Sequence, residues 1–337
     1  MSRRNINHNK KKKTSFFGVI LKFLLLAINI VAALALLAAY VSPVLPPSFW
    51  LLVSYCGLAF PYIVLANIVF VVLWLPIQYK YSLISLSLVL LNVNNIDRCF
   101  QLRATPRPEV CASCVRVMSY NARLYGLYDS ETAFERNQKK EQIFDLLRRE
   151  RPEILCIQEH FVDKSGKLNF STTDSIMSIL HFDDPKRHCF EYFTAHNRSH
   201  DYHYGMAIFS RYRILNGDYI DMGDSSNNGS IYVDIKFKSD TVRIYNVHLT
   251  SIGMNEEDYA MGRDISSNGM DDPQLDKKAR RLYDKVGKAF IKRQHQAKVL
   301  RAHIDSCPHP MIICGDFNDS PVSYAYHKVG HGFKDAF

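Results

Sequence analysis

Four apolar stretches of this sequence each run into polar side chains of types that enzymes use. The side chains are Asn121 after "VMSY", Glu159 after "ILCIQ", His248 in "IYNVHLTS", and Asp316 with Asn318 in "IICGDFN". Carboxylate and carboxamide oxygens are ligands suited to Mg²⁺, and imidazole and carboxamide groups can stabilise a charged oxygen. Four strands that end in this way predict one rim of a layered sheet, at which a site can assemble.

Each of these residues also has a purely structural interpretation. Asn121 and Asp316 could belong to polar turns, and Glu159 could be a solvated carboxylate at a strand end. His248, between two apolar neighbours, could be a hydrogen-bonded core histidine. Asp316 and Asn318 are two residues apart, so both project from the same face of an extended strand. The combination of all five residues favours the functional interpretation.

The elements that must position these residues alternate between strands and helices from Val115 onward. Apolar alternation and turn residues predict strands in "VRVMSYN", "EILCIQE", "YGMAIFSRY" and "MIIC", and a hairpin in "SIYVDIKFKSDTVRIYNVHLTS" that turns at Ser239-Asp240. Helical spacing predicts one helix in "ERNQKKEQIFDLLRRERP" and a long basic helix from Asp271-Asp272-Pro273 to about Ile304. This order indicates a mixed α/β layered domain. We expect Arg293, in the basic helix, to lie on a solvated face.

Five of these segments, in this order, resemble the motifs of the endonuclease/exonuclease/phosphatase family. They are "VMSYNAR", "ILCIQE", "GMAIFSRYRI", "IYNVHLTS" and "IICGDFNDSPVS". The family includes DNase I-like nucleases, abasic-site endonucleases, inositol-polyphosphate 5-phosphatases and bacterial sphingomyelinases. The resemblance covers about residues 115–337 and implies a four-layered α/β sandwich. It also implies hydrolysis of a phosphate ester with a divalent metal as cofactor. This metal would be Mg²⁺, for which Mn²⁺ could substitute.

The resemblance implies a role for each residue of the rim. Glu159 would bind the metal with Asn121 beside it, and Asn121 would also hold a phosphate oxygen or a metal-bound water. The catalytic residues would be His248, which donates to a phosphate oxygen, Asp316, which orients or activates the attacking water, and Asn318, which hydrogen-bonds the phosphate.

Further substrate contacts are expected from the segment before and after "GMAIFS". Relatives often place an aromatic phosphate contact just before this motif, where His203 and Tyr204 stand. Arg211 follows it and is a further candidate for substrate binding. The same segment, "HNRSHDYHYG", could instead be only a polar loop.

The sequence departs from the family pattern at its C-terminal end. Relatives close the site with a Ser-Asp-His motif, whereas this sequence stops at Phe337, nineteen residues after Asn318, without one. We therefore expect the domain to lack its last strands, to leave a sheet edge exposed, and to show little or no hydrolysis as it stands. A truncated gene product or an inactive protein would explain this, and we favour truncation. A downstream reading frame that continues without such a motif would contradict it.

The N-terminal third is typical of a membrane region. A basic tail, residues 1–22, precedes an uncharged run from Phe23 to Val41, and a second run, Ser48 to Pro76, has Trp50 and Trp74 near its ends. A third run, Tyr81 to Ile96, is shorter. The region 23–96 thus predicts two or three transmembrane helices, followed by a linker over residues 97–114. A cleaved signal peptide is the alternative for the first run, and the later apolar runs argue against it.

The number of crossings decides on which side the soluble domain lies. The basic tail should stay in the cytoplasm by the positive-inside rule. Three crossings then place the domain outside the cytoplasm of a bacterial inner or plasma membrane, and two would leave it inside. We favour three. The bilayer is then one partner, and the phosphate-ester substrate, a nucleic acid or a phospholipid headgroup, is the other.

Charge and cysteine content narrow the function only a little. The formal charge of +9 falls to +3 once the six cations Arg3, Arg4 and Lys10 to Lys13 are set aside, so the soluble domain gives no sign of a nucleic-acid surface. Cys111 and Cys114 form a CxxC without a second ligand pair, which favours a local disulfide or inert thiols over a zinc site.

We conclude from the sequence that the chain is a membrane-anchored, metal-dependent phosphoesterase. One alternative is a catalytically inactive, membrane-bound binding module of the same fold. Another is a three-helix membrane protein with an accessory soluble domain, in which transport is not expected because the spans carry no charge past Lys22.

Overall fold

Two four-stranded sheets face each other in the computed structural model, which describes residues 16–100, 114–128, 132–168, 170–223, 228–254, 258 and 275–336. The first sheet has the order β1-β2-β4-β3 and the second the order β5-β6-β7-β8. The strands are β1 Val117–Asn121, β2 Ile154–Asp163, β3 Cys189–His196, β4 Tyr202–Ser210, β5 Ile214–Ile220, β6 Gly229–Phe237, β7 Asp240–His248 and β8 Met311–Asp316.

Helices cover the outer faces of both sheets. They are α5 Ala133–Glu150, α6 Thr172–Leu180, α7 Pro185–His188, α8 Leu275–Asp305 and α9 Tyr324–Gly330. Helices α5 and α6 pack on the first sheet through Phe144, Leu147 and Ile176, and α8 and α9 pack on the second. Between the sheets lies a core of β-branched and other apolar side chains from both, such as Ile208 and Val233. The predicted four-layered α/β sandwich is thereby confirmed.

Parallel pairing brings the ends of four strands to one rim. β1 runs parallel to β2 with Asn121 opposite Gln158, and β7 runs parallel to β8 with His248 opposite Asp316. Parallel neighbours end on the same side of a sheet, because they run in the same direction. Asn121, His248 and Asp316 are the last residues of β1, β7 and β8, and Glu159 lies inside β2. The hydrogen bond from Asn121 to Asp316 brings the two sheets together at one rim. Among the described strands, β8 is an outer strand of its sheet.

The predicted elements exist with shifted boundaries, whereas two strands, β3 and β5, and the short helices α6, α7 and α9 were not predicted. The hairpin between β6 and β7 turns at Lys238-Ser239, one residue before the predicted position, with Lys238 in the left-handed region. β3 and β5 were not predicted, since their sequences mix charged and aromatic residues without clean alternation. The predicted helix start at residues 271–273 lies outside the described residues, as does the basic tail up to residue 15.

The N-terminal region is entirely helical among its described residues. It consists of α1 Phe16–Val41, α2 Leu51–Leu58, α3 Phe60–Leu91 and α4 Val93–Cys99. Of these, α1 and α3 are long and apolar enough to cross a membrane. The predicted linker of residues 97–114 begins inside α4, and residues 101–113 lie outside the described part of the chain.

The chain reverses direction inside α3. Gln78 has non-helical backbone angles (φ −161°, ψ 84°), two residues after Pro76. The Ser85 hydroxyl donates to Asn67 Oδ1 at 2.8 Å, although these residues are 18 apart. In a straight helix that separation is about 27 Å, so the two halves of α3 must form a hairpin. The second and third apolar runs of the sequence are thus two antiparallel arms.

The helical region packs against the soluble domain beside β8. Val322, six residues after Asp316, is fully buried in a cluster with Leu36, Ala39 and Phe60. The Ser320 hydroxyl donates to the Gly57 carbonyl at 3.2 Å. A Cβ on Gly57 would lie 2.2 Å from the Ser42 hydroxyl and 3.1 Å from the Val322 carbonyl, so this close approach requires glycine.

Candidate active site

Asn121 connects the two sheets at the rim. Its amide nitrogen Nδ2 donates one hydrogen bond to Glu159 Oε1 and one to Asp316 Oδ2, both at 2.9 Å. Its carbonyl Oδ1 accepts from the backbone N–H of Arg123 at 2.9 Å. The amide is therefore oriented with its nitrogen between the two carboxylates, one from each sheet.

Glu159 reaches the rim through an irregularity of β2. The pairing of β2 with β4 shifts between Ile157 and His160, so that β2 carries an extra residue. Glu159 itself adopts φ 51°, which residues with a Cβ rarely do. A β-bulge of this kind re-aims a side chain, and strained backbone of this kind is concentrated at functional sites.

His248 is the buried imidazole of the site. Its Nε2 is shielded from solvent without a hydrogen-bond partner and lies 3.8 Å from Glu159 Oε1. Burial lowers the pKa of His248, and the carboxylates of Glu159 and Asp316 offset this only in part. The imidazole is therefore neutral at pH 7 and can donate or accept a proton at Nε2.

Asp316 and Asn318 close the site from the second sheet. Asp316 Oδ1 accepts from the backbone N–H of Asn318 at 2.9 Å, and Asn318 Nδ2 donates to the Leu249 carbonyl at 2.9 Å. Asn318 has φ 51° and lies beyond the end of β8, so the prediction that Asp316 and Asn318 project from one face of an extended strand is wrong. Gly315 has φ 145°, and a Cβ at this position would lie 2.0 Å from the Val247 carbonyl, which excludes any larger residue before Asp316.

A buried amide network lies between the sheets behind the rim. Asn246 Nδ2 donates to the carbonyls of Ile157 at 2.8 Å and Ala207 at 3.0 Å, at the point where β2 and β4 lose register. Gln158 Nε2 donates to Asn246 Oδ1 at 2.6 Å. Buried carbonyls left without donors would be costly, so these two residues compensate the bulge that presents Glu159. Sequence reasoning missed both, although Asn246 stands two residues before His248.

Arg293 corrects a prediction, because it does not lie on a solvated face. The side chain is 1% exposed, and Nε lies 3.0 Å from Asp319 Oδ2. Arg293 also donates to the Thr250 carbonyl at 3.1 Å. Burial raises the pKa of Asp319, and the neighbouring Arg293 guanidinium counteracts it. This ion pair holds together the two loops that follow His248 and Asp316. Sequence reasoning overlooked Asp319, the second acidic residue of "DFND", as a partner for a buried cation.

The structure does not bring every predicted substrate-binding residue to the rim. Arg211 is bonded to Glu153 at the opposite end of β2, roughly 20 Å along the strand from Glu159 at 3.3 Å per residue. His203 is the second residue of β4, and its Nε2 contacts the carbonyl of His200, in the preceding turn, at 2.9 Å. The Tyr204 hydroxyl lies 2.7 Å from that of Tyr128.

The rim residues fit a hard divalent cation. Mg²⁺ typically takes one or two carboxylates and keeps several waters. Two carboxylates from different sheets share one amide here, and the buried His248 Nε2 beside them has no partner. Within the described residues no group of three or more His, Cys, Asp or Glu side chains is arranged to hold a metal by protein ligands alone. A metal at this rim would therefore depend on oxygen ligands from water and substrate.

The sandwich matches the model of a known protein family. The model of the Endonuclease/Exonuclease/phosphatase family matches residues 118–336, and the chain belongs to that family. A second model, described as a domain of unknown function (DUF8431), matches residues 22–99. No curated protein matches the sequence. The N-terminal helical region and the sandwich thus correspond to two separate family models.

Several solved structures are similar to this chain at low identity and with TM-scores below 0.5. An endonuclease/exonuclease/phosphatase from Beutenbergia cavernae is 16% identical with a TM-score of 0.41, over 62% of this chain and 50% of that one. Sphingomyelinase C from Streptomyces griseocarneus is 16% identical with a TM-score of 0.41, over 64% and 68%. ANGEL2, a 2',3'-cyclic phosphatase, is 18% identical with a TM-score of 0.42, over 65% and 56%. The chain spans half the length of the first of these.

Proposed function

We propose that this protein is a membrane-anchored, divalent-metal-dependent phosphoesterase. The observation that carries the proposal is the hydrogen bonding of Asn121 to Glu159 and to Asp316, which joins the two sheets at one polar rim. Membership of the endonuclease/exonuclease/phosphatase family supports the reaction class, a hydrolysis of phosphodiesters or phosphomonoesters.

Glu159 and Asn121 are the residues that would hold the metal, Mg²⁺ or Mn²⁺. When bound, the ion neutralises negative charge that builds up on the phosphoryl group and on the leaving oxygen. Asn121 is already oriented by Arg123, and Glu159 by the bulge of β2. The Asn121 amide presents its donor Nδ2 to Glu159 and Asp316, so it would have to rotate before Oδ1, the atom that can bind a cation, faces the ion.

The remaining rim residues would act on the substrate and on the attacking water. Asp316 keeps acceptor capacity after its bonds to Asn121 and Asn318, so it can orient a water and take up its proton. His248 can donate from Nε2 to a non-bridging phosphate oxygen. The second N–H of the Asn318 amide can do the same, because the first is bonded to Leu249.

A nuclease and a hydrolase of phospholipids or small phosphodiesters both use this chemistry. The loop that carries Asp316 and Asn318 continues to Val322, which packs among the apolar helices. This proximity to the N-terminal region favours a substrate at the membrane surface.

A binding module without catalysis is the second candidate. It is favoured by the composition of the rim, where His248 is the only histidine among the described residues that lies close to a site carboxylate. Such a protein would bind a metal and a phosphate ester without turning it over.

The hairpin inside α3 favours three membrane crossings, and its second arm, residues 79–91, is shorter than the roughly 20 residues of a typical transmembrane helix. The antiparallel arms of α3 and the helix α1 place Lys22 Nζ 3.4 Å from Gln78 Oε1 at one end of the bundle. The other end contacts the soluble domain through Val322. Cys114 is disulfide-bonded, which suits an oxidising compartment. We infer a cytoplasmic N-terminus and an extracytoplasmic catalytic domain in a bacterial inner or plasma membrane.

The proposed function is tested by an assay of the protein expressed from its complete reading frame and placed in proteoliposomes. DNA, phosphatidylinositol phosphates and sphingomyelin are offered with Mg²⁺, with EDTA in parallel, and Glu159→Ala is the control. We expect one substrate class to be hydrolysed with Mg²⁺ only, and the rate to fall at least about 100-fold in the variant. Equal rates in parent and variant would overturn the site assignment. Binding without turnover would favour the binding module.

A further inference from the structure

Strained backbone flanks both residues that would hold the metal. Arg123, Leu124 and Tyr125 are consecutive and have φ of 45°, 50° and 57°, and the run begins two residues after Asn121. Glu159 has φ 51°. L-residues seldom adopt this conformation even singly, and a run of three is rarer still. Some contact must hold the two segments in place, since neither would keep this geometry by itself.

His160 contacts both strained segments from inside the first sheet. It is fully buried, follows Glu159 in sequence, and its Nδ1 lies 2.7 Å from the hydroxyl of Tyr125. Its Nε2 lies 3.0 Å from Glu191 Oε1 on β3 and 3.2 Å from Thr173 Oγ1 on α6. One imidazole thereby joins the left-handed turn, the bulge, a neighbouring strand and a helix.

The donor and the acceptor of each hydrogen bond between Tyr125, His160 and Glu191 can be assigned. Burial would raise the pKa of Glu191, but the hydrogen bonds from His160 and Thr173 lower it overall, so the carboxylate is ionised and accepts. Burial raises the pKa of Tyr125 well above its ordinary value, so the phenol stays protonated and donates. His160 then donates from Nε2 and accepts at Nδ1. These hydrogen bonds fix the tautomer of His160 without any contact to a residue at the rim.

The turn is tied to β2 by the backbone as well. Ala122 N–H donates to the Gln158 carbonyl at 2.9 Å, and Tyr125 N–H donates to the Ala122 carbonyl at 2.7 Å. A change in the position of Tyr125 is therefore transmitted to Asn121 and to the residue before Glu159. The side chain of Tyr125 is fully buried against Phe144 and Phe170, which leaves it little room to move.

We propose that His160 is a positioning residue that sets the geometry of Asn121 and Glu159 through its hydrogen bonds to Tyr125 and Glu191. This inference rests on the proposed metal site and adds a buried residue that touches neither metal nor substrate. It predicts that metal affinity depends on the two ring nitrogens of His160, and that an apolar ring of similar volume does not replace them.

The test compares His160→Phe and Tyr125→Phe with the parent, each as the full chain in detergent micelles. Two readouts are used: Mn²⁺ affinity from the electron paramagnetic resonance signal of the free ion, and amide hydrogen exchange of the peptide 117–128. We expect about 10- to 100-fold weaker Mn²⁺ binding in His160→Phe. We also expect at least about tenfold faster exchange in that peptide, because local opening sets the exchange rate. Tyr125→Phe should shift both in the same direction, and His160→Asn, which keeps a polar amide, should recover part of the affinity.

His303→Phe is the matched control. His303 Nδ1 lies 3.0 Å from the Tyr245 hydroxyl on the second sheet, so it forms a similar pair away from the metal residues. Its replacement should leave Mn²⁺ affinity within threefold of the parent. If His160→Phe also stays within threefold and its 117–128 peptide exchanges like the parent, the proposal is overturned. If the parent binds no Mn²⁺, the metal of the proposed function fails, and hydrogen exchange alone decides the role of His160.

Discussion

At the scale of single residues, the site depends on two side chains, His248 and Arg293, whose burial and hydrogen bonding could not be predicted from the residues next to them in sequence. His248 stands between Val247 and Leu249 and could have been a satisfied core histidine, yet its buried Nε2 has no partner. Arg293 sits in a strongly basic helix and is nonetheless buried against Asp319. Hydrophobic periodicity shows which face of a helix or strand is apolar. It does not show which individual polar side chain is buried.

Replacing His248 should separate activity from stability. In His248→Ala the buried donor is lost, and we expect the rate of phosphate-ester hydrolysis to fall about 10²- to 10³-fold. The unfolding temperature should fall only as far as the cavity left by the buried ring requires, because Nε2 has no hydrogen bond to lose. Initial rates and thermal unfolding of the same preparations would check this. A change in rate below about threefold would contradict the proposed role.

At the scale of secondary-structure elements, the strands that end in polar residues could be read from the sequence, because alternation and apolar runs are local signals. β1, β2, β7 and β8 were predicted for this reason, and with them the rim. The bulge of β2 at Glu159 and the left-handed turn after Asn121 could not, because they depend on contacts with β3, β4 and β7 that are distant in sequence. β3 and β5 were not predicted because their sequences lack an alternating pattern of apolar and polar residues.

The end of β8 should not tolerate a side chain at position 315. In Gly315→Ala the new Cβ would lie 2.0 Å from the Val247 carbonyl, and β7 and β8 would have to separate beside His248 and Asp316. We expect a loss of stability of about 3 kcal/mol or more. Thermal unfolding should show this as a drop of at least about 6 °C.

Gly166→Ala is the control for this prediction. Gly166 also has a positive φ, 73°, but a Cβ there would meet nothing within 4 Å. Its substitution should cost only about 1 kcal/mol, the conformational penalty itself. Equal unfolding temperatures of the two variants would show that the close approach of β7 and β8 is not required.

At the scale of the whole molecule, the helical region and the sandwich form one packed unit. The loop after β8 contributes Asp316 and Asn318 to the rim and Val322 to the cluster of apolar helices. α2 lies against α8, where Gly287 leaves space for Leu51, whose Cδ2 would be 2.8 Å from an added Cβ. The sequence indicated two regions joined by a linker. It could not indicate this contact, because packing between regions distant in sequence leaves no periodic signal.

The number of membrane crossings can be measured with alkaline phosphatase fused after Leu45, Tyr79 or Phe100. The enzyme requires disulfides and is active only outside the cytoplasm. Three crossings predict activity after Leu45 and Phe100 and none after Tyr79, where α3 reverses. An inactive fusion after Phe100, together with an active one after Leu45, would place the catalytic domain in the cytoplasm.

The claim on which the proposed function depends is that Glu159 and Asn121 hold a divalent metal at the rim. A Mn²⁺ titration of the full chain measures the affinity of this site without any substrate. The free ion is detected by its electron paramagnetic resonance signal. We predict that the parent binds one ion, that Glu159→Gln binds it at least about 100-fold more weakly, and that Arg211→Gln, at the other end of β2, binds it like the parent. Equal affinities of the parent and Glu159→Gln would contradict the metal site.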